Sequence, residues 1–260
     1  MKAPSFAYAK PRTLAEGFDL LERPGAKILA GGQSLIPSLN MRLSAPELLV
    51  DITGLAALRG ITLEQGVVRI GALTTHTEIE RSAEIPKHVP LLAEAVRHIA
   101  HPAIRNRGTL GGSIALADPA AEYPACLVAL EATIVLQSTA GERMVKAEEF
   151  FKGLFDVDLE AGELVTAVEI PALLKDERSV FLELARRQGD YAIVGLAGVT
   201  KSSGRRLAFF GLSSKPVLLK PKSLDDAKAS LPAPAADLYH SPATKLHLAK
   251  VLLERAWNSL

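Results

Sequence analysis

The chain has 260 residues, 48% of them hydrophobic and 23% charged, enough to bury roughly three quarters of its unfolded surface; this excludes a disordered, collagen-like or coiled-coil chain. Thirty basic against 29 acidic side chains leave a net charge of +1, which is no electrostatic footprint for nucleic acid. A single cysteine, Cys126, forbids an internal disulfide, a thiolate-rich zinc site or an iron-sulfur cluster held by this chain alone, and fits a reducing cytoplasm.

Lys10 and Arg12 interrupt the N-terminal apolar residues, so no signal-peptide core is expected. Thr13 with Glu16 forms a capping-box pattern that predicts a helix through Leu21. A strand is expected at Lys27 to Ala30, then Gly31 and Gly32, then a helix starting near Ser34 with Pro37 tolerated in its first turn. The strand Leu48 to Ile52 closes a small α/β unit, residues 1–55.

From Gly66 the pattern predicts a strand over Val67 to Ile70, a helix over Pro90 to Ala100, a glycine-rich segment, a helix over Tyr123 to Leu130 and a strand over Thr133 to Gln137. These form a mixed middle unit, residues 56–172. Strand-like runs at Val165 to Ile170, Val180 to Leu184, Tyr191 to Thr200 and Arg206 to Leu212 recur as in an antiparallel sheet. A Pro-rich linker through Pro232 and Pro234 then leads to a last helix, Ala243 to Trp257, completing a C-terminal unit over residues 173–260. The longest apolar stretches, Cys126 to Leu130 and Ile193 to Val199, are far shorter than the roughly 18 residues of a membrane span.

Two segments invite chemistry. In Lys27-Ile-Leu-Ala-Gly-Gly-Gln-Ser-Leu35 a strand turns through two glycines into a helix, where close backbone approach and exposed amides suit a phosphate. In Arg105-Asn-Arg-Gly-Thr-Leu-Gly-Gly-Ser113, Thr109 and Ser113 add hydroxyls beside Gly108, Gly111 and Gly112. Either turn alone also fits a purely steric use of glycine. Together they suit a dinucleotide pyrophosphate gripped from two sides without Lys or Arg.

Other sites fail on the residues: neither a Rossmann fingerprint nor a Walker loop is present. Ile36 replaces the second glycine of a nucleophile elbow around Ser34. His98 and His101, just before Pro102, suit a helix C-terminus better than a metal.

The pair Ala30-Gly-Gly-Gln-Ser34 and Thr109-Leu-Gly-Gly112, flanked by Arg105-Asn-Arg-Gly108 and Asp118-Pro-Ala-Ala-Glu-Tyr-Pro124, resembles the FAD-binding medium subunits of molybdenum hydroxylases. That family includes the flavoprotein subunits of aerobic carbon monoxide dehydrogenase and of bacterial xanthine and nicotinate dehydrogenases. The similarity extends to a Met-Lys-x-Pro-x-Phe-x-Tyr-like opening, Gly71-Ala-Leu-Thr-Thr75, Arg186-Arg-Gln-Gly-Asp-Tyr191 and the last helix. It implies an α+β, vanillyl-alcohol-oxidase-like (PCMH-type) FAD fold with a C-terminal antiparallel sheet plus helices.

It further implies that Ile28, Leu29, Ala30, Gly31, Gly32, Gln33, Ser34 and Leu35, with Thr109, Leu110, Gly111, Gly112 and Ser113, hold the FAD pyrophosphate. Glu122 would lie near the flavin or its ribityl chain, Tyr191 would cover one face of the ring, and Asp118 and Val165 complete the implied set. Asp118 before Pro119 also fits an ordinary turn, and Tyr191 a half-buried strand aromatic. The chain departs from the family at Leu182, Glu183 and Leu184, where relatives often carry a basic residue able to approach the flavin.

The resemblance implies no catalytic residue or metal ligand in the chain itself. A large subunit would carry the molybdopterin cofactor, a small one 2Fe-2S clusters, and FAD here would pass electrons to NAD, a quinone or oxygen, in a cytoplasmic dimer of heterotrimers that touches the membrane, if at all, only peripherally. A free-standing flavin oxidase or reductase with its own small organic substrate, and an assembly protein without FAD, are the rival readings. Gln33, where carbon monoxide dehydrogenase relatives tend to have His, mildly favours an organic substrate.

Overall fold

The computed structural model describes residues 2–260, so Met1 of the opening motif lies outside the described residues. Three sheets of three or more strands follow one another along the described residues, with one two-stranded hairpin beside them. The first is parallel: β1 (Ala7–Ala9), α1 (Leu14–Leu21), β2 (Ala26–Leu29), α2 (Leu35–Asn40) and β3 (Leu48–Asp51) place β3 centrally in the order β1-β3-β2. Thr13 caps α1 by accepting from the Glu16 N–H, but the Glu16 carboxylate returns to the N–H of Arg12 (2.6 Å) rather than to that of the cap residue. Leu48, Val50 and Ile52 pack with Leu55, Leu58 and Leu73 beneath α1.

The middle sheet is antiparallel, built from β4 (Ile61–Glu64), β5 (Val67–Gly71), β6 (Thr133–Ser138), β7 (Gly141–Lys146) and β10 (Leu164–Pro171) in the order β4-β5-β10-β6-β7. Between β5 and β6 run the short helices α3 (His76–Arg81), α4 (Ile85–His88), α5 (Pro90–Ala95), α6 (Pro102–Arg105), α7 (Leu110–Leu116) and α8 (Glu122–Ala129). After β7 come α9 (Ala147–Phe150) and the hairpin β8 (Phe151–Gly153) and β9 (Asp156–Val157). Every residue of α8 is buried, so the helix forms the centre of the largest core rather than a surface stripe.

Two expectations are corrected here. The run Val165 to Ile170 joins the middle sheet as β10, paired with β5 and β6, and not the later strands. The helix expected over Pro90 to Ala100 ends at Ala95; irregular turns follow to Ala100, which takes a φ of +43°. Pro102 drives His101 to extended backbone (φ −120°, ψ 163°) and starts a new helix.

The last sheet, β11 (Arg178–Leu184), β12 (Val194–Lys201), β13 (Gly204–Phe210) and β14 (Val217–Leu219), is antiparallel in that order. Alternation along β12 splits its side chains between two cores: Ala197 and Val199 pack with α8, whereas Val194 and Leu196 pack with Leu252, Leu253 and Ala256. Those last residues belong to α11 (Pro242–Ser259), which follows α10 (Leu224–Ala229). No helix among the described residues is long and apolar enough to cross a membrane.

Candidate functional site

β2 ends at Leu29, and the chain turns through Gly31 and Gly32 into α2. Gly32 has a φ of +73°, a conformation that costs a residue with a Cβ roughly 1–2 kcal/mol. The Gln33 side chain folds back so that Nε2 donates to the Gly31 carbonyl (2.9 Å). Ser34 is exposed and its hydroxyl caps nothing. The N–H groups of Gly31, Gly32, Gln33, Ser34 and Leu35 donate to no acceptor among the described residues. A row of unpaired donors at a helix start can donate to an anion.

The second segment is a helix start, which corrects the expectation of a glycine loop. Thr109 is the N-cap of α7, and its Oγ1 accepts from the Gly112 N–H (3.2 Å). Leu110 N–H donates to the Thr74 carbonyl (3.0 Å), Gly111 N–H to that of Ala72 (2.8 Å) and Ser113 N–H to that of Thr109 (3.0 Å). Its amides are therefore spent within the protein, and the grip expected from both sides is asymmetric. Gly111 allows the helix to touch the segment that follows β5: a Cβ there would overlap Ala72. The Ser113 hydroxyl, half-buried, has no hydrogen-bond partner among the described residues.

The two turns meet. A Cβ on Gly31 would overlap the carbonyl of Arg107, and one on Gly112 would stand 3.9 Å from the Ala30 Cβ. Each Gly-Gly pair thus gives its first glycine to contact between chain segments. Arg105 fixes the approach, its guanidinium bridging Glu80 (3.0 Å) and the carbonyls of Ile99 and Ala100 (3.1 and 3.3 Å) just ahead of the second turn.

α7 is seven residues long, about 10 Å, and at its far end stand Asp118, Glu122 and Tyr191. Asp118 accepts from the Ala120 N–H (2.9 Å), the turn geometry foreseen as its alternative role. The Gly211 N–H at the end of β13 donates to the Pro119 carbonyl (2.9 Å), and Gly211 packs so closely on Ile193 that a Cβ would stand 2.7 Å from its carbonyl oxygen. This joins the Asp118–Glu122 segment to the connection bearing Tyr191. Tyr191 precedes β12 instead of lying within a strand, and is 73% exposed, an unpaired aromatic surface beside the site.

Burial, then the charges of Glu183 and Asp118, push the Glu122 carboxyl up to about 8. Burial alone pushes Glu183 up to about 7. Burial also raises Asp118, and burial followed by the charges of Asp118 and Glu122 raises the Tyr191 phenol. Glu183, at the position of the family departure, has a side chain only 2% exposed, with Oε2 3.8 Å from His98 Nδ1 and no hydrogen bond to that oxygen. Nothing in its sequence context announced this burial.

The remaining candidates build the walls. Ile28 and Ala30 pack on the N-terminal core, Leu110 and Val165 have side chains within the central core, and Leu29 and Leu35 are half-buried at the turn. Leu110 and Val165 therefore direct no side chain into the cradle. His98 lies beyond the end of α5 with its ring 5.0 Å from that of Phe181, and His101 is the N-cap of α6, so neither complements a helix C-terminus. No group of three or more His, Cys, Asp or Glu with metal-holding geometry occurs among the described residues.

The family model described as the FAD binding domain in molybdopterin dehydrogenase matches residues 4–173. The chain belongs to this family. It is 45% identical over 201 residues to the 6-hydroxypseudooxynicotine dehydrogenase complex subunit alpha of Paenarthrobacter nicotinovorans, covering 76% of this chain and 68% of that protein. It is 41% identical over 222 residues to the glyceraldehyde dehydrogenase medium chain of Sulfolobus acidocaldarius, covering 83% and 79%.

The solved carbon monoxide dehydrogenase of Hydrogenophaga pseudoflava that lacks the Mo-pyranopterin moiety superimposes with a TM-score of 0.94 at 35% identity, over 100% of this chain and 98% of the matched one. The vanillyl-alcohol-oxidase-like α+β fold follows. As an FAD-binding molybdopterin-dehydrogenase medium subunit, the chain is an oxidoreductase component whose redox chemistry resides in its flavin, and the protein supplies position, burial and electrostatics.

Proposed function

We propose that the unpaired amides of Gly31 to Leu35 hold the FAD diphosphate, with the hydroxyls of Ser34 and Ser113 completing the grip and Thr109 positioning the second wall. Ala30 and Gly112 lie against each other where the two turns meet, and Ile28, Leu29, Leu110, Gly111 and Val165 would back the site. Asp118 and Glu122, at the far end of α7, would stand beside the flavin ring, with Tyr191 available to cover one face. The single observation carrying this reading is the row of main-chain donors without acceptors, set against a second segment in direct contact with it. Residues 1–55 and 56–172 would clasp the cofactor and 173–260 would flank it, a division supported by each sheet lying within one interval.

In this reading the chain sits in a cytoplasmic dimer of heterotrimers. A large molybdenum-cofactor subunit oxidises the substrate, and a small subunit with 2Fe-2S clusters relays electrons. FAD supplies the redox chemistry, taking electrons from the clusters and passing them to NAD, a quinone or oxygen. Glu122 and Asp118 set the charge beside the ring, and Tyr191 shields one face from water. Titration of the purified full chain with FAD should give one bound flavin per chain, with ADP competing because it carries the same diphosphate. No flavin uptake, or bleaching of bound flavin by a small organic substrate without the partner subunits, would contradict the assignment.

A further inference from the structure

Glu122 opens α8 and Glu183 is the penultimate residue of β11, yet both are buried in the seam where α5 and α8 meet the C-terminal sheet. The hairpin bearing Tyr191 springs from this seam, its last rung pairing Leu184 with Val194. No Lys or Arg pairs with either carboxylate among the described residues; the nearest basic atom to Glu183 Oε2 is His98 Nδ1, at 3.8 Å, and that imidazole is kept neutral by burial. Glu183 Oε2 has no hydrogen-bond partner, although its side chain is 2% exposed. Two ionised carboxylates without a cation are strongly disfavoured in such a place.

We propose that Glu122 gives the flavin ring the proton that accompanies its reduction, and that Glu183 is the positioning carboxyl that keeps this proton on Glu122. The proposal rests on the placement of the ring beside Glu122. Two electrons enter the ring from the partner's clusters, the O–H bond of Glu122 breaks, an N–H bond forms on the ring, and a carboxylate remains. When the ring gives its electrons up singly the proton returns to Glu122. When the acceptor takes hydride, the carboxylate is refilled from solvent past the exposed Tyr191.

The groups facing the pair explain why the proton stays. Glu94 accepts from the Phe181 N–H (3.0 Å) and is itself raised by burial, with that hydrogen bond and then Arg97 offsetting this in part. Asp118 adds negative charge from the start of the α8 segment, and Cys126, one turn along α8, is a neutral thiol because burial and then the charges of Glu122, Glu94 and Glu183 push it well up. Tyr191 and His98 are neutral at pH 7. No charge at the seam drives the proton off.

Infrared difference spectroscopy on the FAD-loaded full chain, reduced electrochemically in H2O and in D2O, tests this. Reduction should remove the deuterium-sensitive carbonyl band of a protonated carboxylic acid. Glu122→Gln should abolish that change, read per bound flavin. Glu183→Gln should keep the band but move its pH titration to lower pH. Loss of no carboxylic-acid band, or its persistence in Glu122→Gln, overturns the proton donor; an unmoved titration in Glu183→Gln overturns the positioning role. Absence of bound FAD in the native chain would instead remove the reading beneath it.

Discussion

Gly32 and Gly111 occupy matching Gly-Gly motifs and do different work. Gly32 holds a φ of +73° among unpaired amides, whereas Gly111 touches Ala72 inside the fold. Gly32→Val should abolish flavin retention, read as absorbance per chain, at a stability cost of about 1–2 kcal/mol. Gly111→Val should instead lower the melting temperature of the chain with or without FAD, because it separates α7 from Ala72. The sequence made both glycines visible but not this division, since main-chain contacts between distant segments leave no residue signature.

Glu122 yields a pH prediction. Its carboxyl titrates near 8 in the folded protein against about 4.5 unfolded, so the stability it contributes is fully present below about pH 4.5 and is lost as pH rises towards 8. Glu122→Gln should therefore match the native unfolding free energy near pH 4.5 and exceed it by pH 8.5, by an amount on the order of a few kcal/mol, with a melting temperature raised to match. Equal melting temperatures across the range would contradict the buried, proton-bearing carboxyl.

At the scale of elements, α7 was the hardest to foresee. Gly111 and Gly112 each cost about 1 kcal/mol of helix propensity relative to Ala, so the segment reads as a loop until Thr109 is seen capping it and Thr74 and Ala72 accepting its first amides. Thr109→Ala should destabilise the chain by about 1 kcal/mol and weaken FAD binding, and Thr109→Ser should restore both; chemical denaturation and flavin titration read the two effects. Strongly patterned elements were legible: β2, β3, β6 and α11 lie within a few residues of their expected spans. β4 and β7 escaped because their exposed residues dilute the apolar alternation. β10 was legible as a strand but not in its pairing, which only β5 and β6 decide.

At the scale of the molecule, the two glycine turns lie where the N-terminal core meets a central core that the middle and C-terminal sheets share. The N-terminal core around Val50 and the central core around α8 touch at the two glycine turns, and the C-terminal sheet packs on α8 through Ala197 and Val199 and donates to the Pro119 carbonyl from Gly211. A ligand bound along this junction acts as a staple. FAD at one hundred times its Kd should stabilise the chain by about 2.7 kcal/mol, a rise of roughly 5–10 °C in melting temperature for a chain of this size. The family and its fold were readable because two motifs stand in order along the chain. The buried acid seam was not, because Glu183 becomes unusual only when β11 closes over α5 and α8.

A structure of the FAD-loaded chain tests the central claim most directly. The account predicts the diphosphate within hydrogen-bond reach of the main-chain N–H groups between Gly31 and Leu35, with the ring at the Glu122 end of α7 under Tyr191. A diphosphate bound away from those amides, or a ring at the opposite end of α7, would contradict it.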